Sequence, residues 1–283
     1  MYLYHFIDAL GMRSWALAKA EDTVLLKDFD FDAWLAGSVG RVKEAIGELE
    51  RIAITGEPAV LPPHLLPPIV SQDVWAAGVT YKRSREARQE EARDGGDVYA
   101  RVYNAQRPEI FFKAFPRYVV GHGGKIGIRG DSNWNVPEPE LGVILNPAMD
   151  TVGFVIGNDM SSRDIEGENP LYLPQAKVYS AACSLGPCIL LSDNLGLPET
   201  SIHLEIDRDG ETLFSGETHT NRIQRTLQEL TGYLGRSSSY PSGLVLLTGT
   251  GIVPPGEMSV IEGDIITIAI EGIGTLSNTV KVV

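Results

Sequence analysis

The proline-rich stretch Gly56-Glu-Pro-Ala-Val-Leu-Pro-Pro-His-Leu-Leu-Pro-Pro68 constrains the architecture of this chain more than any other feature. Its five prolines lack the N–H that a helix interior or a central strand needs. The stretch reads as a stiff linker. It divides the 283 residues into a small N-terminal part, 1–68, and a larger domain, 69–283. Ahead of it, Trp15-Ala-Leu-Ala and Thr23-Val-Leu-Leu read as short strands. Residues 32–51 read as one helical stretch, with Ala45, Ile46, Leu49 and Ile52 at spacings that suit one face. A small α/β unit is expected there.

From Val74 onward the pattern changes to short runs rich in β-branched and aromatic residues. Ile110-Phe-Phe, Tyr118-Val-Val, Leu141-Gly-Val-Ile-Leu, 151–156, 188–191, 202–206, 244–247 and 265–270 are separated by Gly, Asn, Asp and Pro. Two helices are predicted, over 79–93 and 220–235. In the second, Ile223, Leu227, Leu230 and Leu234 recur at helical spacing. Many strands without regular βαβ alternation predict a β-rich α+β domain rather than a doubly wound sheet. Gly121-His-Gly-Gly124 lacks the strand–turn–helix setting of a phosphate loop.

Charge narrows the partners. A net charge of −13 repels a phosphate backbone, so no nucleic acid partner is expected. No run reaches the roughly 18 apolar residues of a membrane span, and the N-terminus shows no signal peptide, so a cytoplasmic location is expected. Cys183 and Cys188 fit neither a zinc knuckle nor a redox motif and read as core thiols.

The chemistry concentrates around Asn135-Val-Pro-Glu138-Pro-Glu140-Leu-Gly-Val-Ile-Leu. Side chains at i and i+2 of an extended chain share a face, and the flanking prolines favour extension. Glu138 and Glu140 would therefore point together and repel unless a proton or a cation lies between them. The plain alternative is two solvated glutamates on an edge strand. The next apolar run ends in Asn158-Asp159, and as the hairpin partner of the Glu strand it would bring a third carboxylate. Three oxygen donors suit a hard divalent cation, Mg²⁺ first, with Mn²⁺ or Ca²⁺ as alternatives.

These residues belong to a longer series of motifs that resembles the fumarylacetoacetate hydrolase family across about residues 70–283. Gly78-Val-Thr-Tyr81 is similar to its opening motif and Pro108-Glu-Ile-Phe-Phe-Lys113 to its Pro-x-x-Phe-x-Lys strand. Glu138-Pro-Glu140-Leu is similar to its metal motif and Asn158-Asp159-Met-Ser-Ser-Arg163-Asp164 to its Asn-Asp-x-Ser-x-Arg-Asp motif. Lys177 with Ser184-Leu-Gly-Pro187, Leu247-Thr-Gly-Thr250 and Gly272-Ile-Gly-Thr-Leu-Ser-Asn278 complete the series. The resemblance implies a mixed β-sandwich or roll as the catalytic domain, a bound Mg²⁺ or Ca²⁺, and a homodimer or homotetramer. It does not choose the reaction.

One departure bears on that choice. Hydrolases of the family commonly carry a His soon after the opening Tyr, where it activates water. Here Tyr81-Lys-Arg83-Ser84-Arg85 follows, and no His occurs between His64 and His122. The run from Asp164 to Lys177, together with Glu109, resembles instead the branch that dehydrates 2-keto-3-deoxy sugar acids. That resemblance implies loss of water from 2-keto-3-deoxy-D-arabinonate to give 2,5-dioxopentanoate. A 2-oxo acid would chelate the cation through its carboxylate and keto oxygens, and the cation would stabilise the enolate formed as a C3 proton leaves. Lys177 and Glu109 are the expected base and acid, in either order. Lys113 is expected to support the site electrostatically. Arg83, Ser84 and Thr250 are candidates for substrate binding. An acylpyruvase-like hydrolase or an oxo-acid decarboxylase of the same family is the alternative. A catalytically dead binding oligomer is a third reading, against which the retained Glu138, Glu140, Asp159 and Lys177 argue.

Overall fold

The computed structural model describes residues 1–20, 22–54, 56–83, 97–194, 196–256 and 258–283. The chain opens with strands β1 (Tyr2–Ile7), β2 (Arg13–Lys19) and β3 (Asp22–Leu26), then helices α1 (Phe31–Gly37) and α2 (Val42–Ile54). Strand β4 (Asp73–Gly78), helix α3 (Asp97–Asn104), β5 (Glu109–Ala114), β6 (Val119–Val120), β7 (Lys125–Ile128) and β8 (Asn135–Val136) follow. Next come the hairpin β9 (Pro139–Leu145) and β10 (Thr151–Asp159), strand β11 (Ser161–Ser162), and the short helices α4 (Arg163–Glu168) and α5 (Leu173–Lys177). The remainder is β12 (Cys183–Leu191), β13 (Ser201–Arg208), β14 (Glu211–His219), α6 (Leu227–Leu234), β15 (Leu244–Leu247), β16 (Ile265–Ile270) and β17 (Gly274–Val282).

Two sheets carry the fold. A 10-stranded mixed sheet runs β3-β2-β1-β12-β10-β9-β15-β4-β5, with β6 also paired to β12. A 5-stranded sheet runs β14-β13-β16-β17-β7, and β8 pairs with β11. Strand β15 shows why the central strands are apolar along their whole length. Leu244 and Leu246 join the core between the sheets, with Ile268 and Ile270 of β16. Val245 and Leu247 face the other way and pack with Phe31, Leu35 and Leu49 of α1 and α2. A strand covered on both faces has no solvent side on which to place polar residues.

The β-rich α+β architecture expected from the sequence is the one observed. Several elements differ in extent. The helical stretch predicted over 32–51 is two helices, because Gly40 turns at a φ of +67° and its N–H bonds the Asp150 carboxylate at 3.0 Å. The helix predicted over 79–93 does not begin at Val79, which has a φ of +53°. Tyr81 forms an isolated bridge with Ile223, and residues 84–93 lie outside the described part. That same bridge keeps Ile223 out of the helix predicted over 220–235. The helix starts at Leu227, after Thr226 accepts the Glu229 N–H at 3.2 Å. Strands β14 and β17 escaped the sequence reading because both alternate with exposed polar residues.

The proline-rich stretch is tied to both sides of the molecule. Ala59 N–H bonds Thr23 O, Leu66 N–H bonds His5 O, and Leu65 N–H bonds His122 O. Strand β1 then pairs with β12, so residues 1–68 extend the sheet of the larger segment. Cys183 and Cys188 are free and buried, and burial pushes each thiol up to about 12. Among the described residues, no helix is long and apolar enough to cross a membrane.

Candidate metal centre and active site

One end of the large sheet gathers the reactive groups. Strands β4, β10 and β15 end there, while β5 and β9 begin there. Glu140 stands opposite Gly157 in the β9–β10 hairpin, and Asp159 N–H donates to Glu138 O at 3.0 Å. The hairpin thus brings Asp159 beside both glutamates, as the alternation of side chains requires. Ligand oxygens of Glu138, Glu140 and Asp159 lie within 4.8 Å of one another, and all three residues are buried.

Three buried cations surround this cluster. Lys177 Nζ, at the end of α5, donates to Glu138 Oε1 at 2.9 Å, Asp159 Oδ2 at 3.0 Å and Ser161 Oγ at 2.6 Å. Lys113, from β5, pairs with Asp159 Oδ1 at 2.5 Å. It also donates to the carbonyls of Met160 and Lys177, at 2.8 and 2.6 Å. Arg163 Nη2 lies 2.9 Å from Glu138 Oε1. Glu140 accepts the Gly249 N–H at 2.6 Å. Even so, its carboxyl is held well above the ordinary carboxylate range, first by burial and then by the charges of Asp159 and Glu138. A buried three-oxygen set that retains a repulsive excess fits a divalent cation, whose charge offsets that repulsion.

The described lining of the cavity above the cluster includes Gly78, Glu109, Phe111, Glu166, Leu173, Lys177, Gly249 and Thr250. Glu109 lies across the backbone of Gly78, where an added Cβ would come 2.1 Å from Glu109 Oε2. The cavity thus brings Lys177, Glu109 and Thr250 together with the carboxylate cluster. The Thr250 hydroxyl closes a local turn with Ile252. Arg83 is exposed and stands outside this described lining, and Ser84 lies outside the described residues. Lys113 is outside this described lining and pairs with Asp159. Glu166 was not singled out from the sequence. Its spacing from Arg163 puts both on one face of α4, but only the packing of that helix turns the face inward.

Gly249 gives a direct check of the frame. It adopts a φ of +94°, and an added Cβ would come 2.0 Å from Thr80 Oγ1 and 3.0 Å from Ala77 O. Gly249→Ala is expected to destabilise the fold by about 1–3 kcal/mol. It would also weaken cation binding, since the N–H on Glu140 moves with the turn. Urea unfolding and a Mg²⁺ titration on the same variant check both.

The site is thus a cluster of three acids over a β-rich core with a lysine reaching into it. The fumarylacetoacetate (FAA) hydrolase C-terminal model matches residues 73–281, and the chain belongs to the fumarylacetoacetate hydrolase family. Within it, the chain is 43% identical over 289 residues to a "Probable 2-keto-3-deoxyxylonate dehydratase" of Haloferax volcanii, covering 99% of each. It is 44% identical over 218 residues to the "2-dehydro-3-deoxy-D-arabinonate dehydratase" of Saccharolobus solfataricus, covering 76% of this chain and 73% of that protein. A solved "2-keto-3-deoxy-D-arabinonate dehydratase complexed with magnesium and 2,5-dioxopentanoate" has the same fold, with a TM-score of 0.85 and 34% identity. The match covers 100% of this chain and 99% of that one.

Proposed function

We propose that this chain is a divalent-cation-dependent hydro-lyase that converts 2-keto-3-deoxy-D-arabinonate to 2,5-dioxopentanoate and water. The observation that carries the reading is the joining of Lys177 to Glu138 and Asp159 in a buried cluster that shares its cavity with Glu109. The relatives support one substrate. D-arabinonate and D-xylonate differ only at C2 and C3, and the keto and deoxy carbons erase both centres. The two named substrates are therefore a single compound when both derive from the D sugars.

Glu138, Glu140 and Asp159 would hold Mg²⁺, and when bound it would supply Lewis acidity to the carboxylate and keto oxygens of a 2-oxo acid. Lys177 is the base for the C3 proton. Lys177 reaches Glu138 and Asp159, and a cation held by those two carboxylates would compete with it for them, which would favour the neutral amine that proton abstraction needs. Glu109 gives a proton to the departing C4 hydroxyl. The C3–H and C4–O bonds break, a C3–C4 double bond forms, and water leaves. A proton shift from C5 to C3 then yields an enol that tautomerises to the C5 aldehyde. Gly78 leaves the space in which the Glu109 carboxylate lies. Thr250 contributes a wall beside the chelating end of the substrate. Arg83 and Ser84 are candidates for binding the substrate carboxylate or hydroxyls. A homodimer or homotetramer fits the exposed apolar side chains Leu10, Met12 and Leu171.

The test is a ¹³C NMR time course of purified protein with 2-keto-3-deoxy-D-arabinonate and Mg²⁺. Appearance of the C5 aldehyde of 2,5-dioxopentanoate, abolished by EDTA and restored by Mg²⁺, is the expected result. Release of pyruvate or CO₂ instead would place the chain with the hydrolases or decarboxylases of its family.

A further inference from the structure

We infer that Glu166 is a specificity-determining residue. Its carboxylate accepts a hydrogen bond from a hydroxyl on the distal half of the substrate, and it turns away oxo-acids that carry a second carboxylate. This rests on the dehydratase reading only for the identity of the natural substrate.

Position comes first. Glu166 is 4% exposed and lines the same cavity as Glu109, Lys177 and the carboxylate cluster. A carboxylate is seldom buried this deeply without a defined setting. Arg163 provides one. Its guanidinium, 1% exposed, lies 2.9 Å from Glu138 Oε1 and 3.9 Å from Glu166 Oε2. The guanidinium thus stands between Glu166 and a candidate cation ligand, as an ion-pair neighbour of both. The Glu166 carboxylate and the site for the chelating end of an oxo-acid adjoin the same buried side chain.

Charge decides what such a group selects. The described ionisable groups lining the cavity are Glu109, Glu138, Glu140, Asp159, Glu166 and Lys177. Glu138, Glu140 and Asp159 form the cation cluster, and Glu109 is assigned to proton transfer. Glu166 has neither task. An ionised carboxylate only accepts hydrogen bonds, so it suits a hydroxyl. A second substrate carboxylate in the same space would meet it at short range in a screened, low-dielectric cavity, where like charges repel strongly. The distinction matters for this reaction. The product has an aldehyde at C5, and oxidation of that aldehyde gives a five-carbon dicarboxylate with the same 2-oxo acid head. A site blind to the distal charge would be inhibited by that dianion.

The experiment is a calorimetric titration of Mg²⁺-loaded protein with two inert probes of equal length, 5-hydroxy-2-oxopentanoate and 2-oxoglutarate. The wild-type protein is expected to bind the hydroxy acid at least roughly tenfold more tightly. Glu166→Gln keeps the shape and removes the charge, and it should close most of that gap. Glu166→Asp keeps the charge but withdraws it, so it should preserve rejection of the dianion while weakening the hydroxy acid. A merely structural pairing with Arg163 would change both affinities together and leave their ratio alone. Equal affinities in the wild-type protein, or an unchanged ratio in Glu166→Gln, would overturn the inference. If Glu166→Gln fails to fold, the Glu166→Asp pair of affinities decides it. The titrations need no turnover, so they stay informative if the dehydration assay fails.

Discussion

Lys177→Met is expected to lower kcat by about 10²–10⁴-fold while the protein stays folded and still takes up Mg²⁺. Methionine keeps an unbranched stem beside the Phe111 ring, over which the Lys177 ammonium lies 5.6 Å from the centroid. What it removes is the amine that bonds Glu138, Asp159 and Ser161. Without Mg²⁺ the variant should melt lower than wild type, because a buried cation has left a cluster of carboxylates. Added Mg²⁺ should restore most of that loss, since it supplies the missing counter-charge. Lys113→Met is the contrast. Lys113 binds Asp159 and two backbone carbonyls, and a metal ion in the cluster would not replace those carbonyl bonds. That variant is expected to lose about 3–5 kcal/mol of stability, with little recovery on adding Mg²⁺. Thermal melts with and without Mg²⁺, beside initial rates, separate the two lysines. Unchanged turnover in Lys177→Met would remove Lys177 from the chemistry even if the cation site stood.

The second large effect concerns Glu140. Its carboxyl is raised above the usual 4.5 by burial, then by Asp159 and Glu138. A folded-state value above the unfolded one stabilises the protein fully below about 4.5. That stability is lost as pH rises through the raised folded value. The cation-free protein should therefore melt at lower temperature as pH rises across that window. A saturating cation reverses the trend, because it competes with the proton and its binding strengthens as Glu140 ionises. At a hundredfold excess over Kd, Mg²⁺ should add about 2.7 kcal/mol, roughly 5 °C in Tm. Glu140→Gln removes the repulsion and keeps a carbonyl oxygen for the Gly249 N–H. Its cation-free form should melt at or above wild type, with a flatter pH profile, while its response to Mg²⁺ disappears. A Glu140→Gln protein that is less stable than cation-free wild type and still shifts with Mg²⁺ would contradict the assignment.

The carboxylate cluster was legible because it depends on short-range geometry. Glu138 and Glu140 share a face by the period of an extended chain, and Asp159 joins them across one hairpin. The apolar run at 244–247 was legible for a similar reason, since a strand buried on both faces has no polar side to confuse its limits. Residues whose placement depends on distant partners were not. Ile223 has the spacing of a helical face, yet it pairs with Tyr81. Gly40 breaks the N-terminal helical stretch because Asp150, far along the chain, receives its N–H. Arg163 and Glu166 could be read as neighbours on a helix, but their burial against Glu138 is a product of tertiary packing. Lys177 and Glu109 carry no local signal of their own, and only their resemblance to a family pattern brought them forward.

Replacing Mg²⁺ by Mn²⁺ makes the centre directly visible. EDTA-treated protein is titrated with Mn²⁺ and followed by electron paramagnetic resonance, first alone and then with a 2-oxo acid labelled with ¹⁷O at the keto group. One tight Mn²⁺ per chain is predicted for wild type, with line broadening from the labelled oxygen and loss of the tight site in Glu140→Gln. A signal of free Mn²⁺ throughout, or a bound Mn²⁺ that ignores both the labelled keto oxygen and the loss of Glu140, would contradict a cation-chelated oxo-acid at this site.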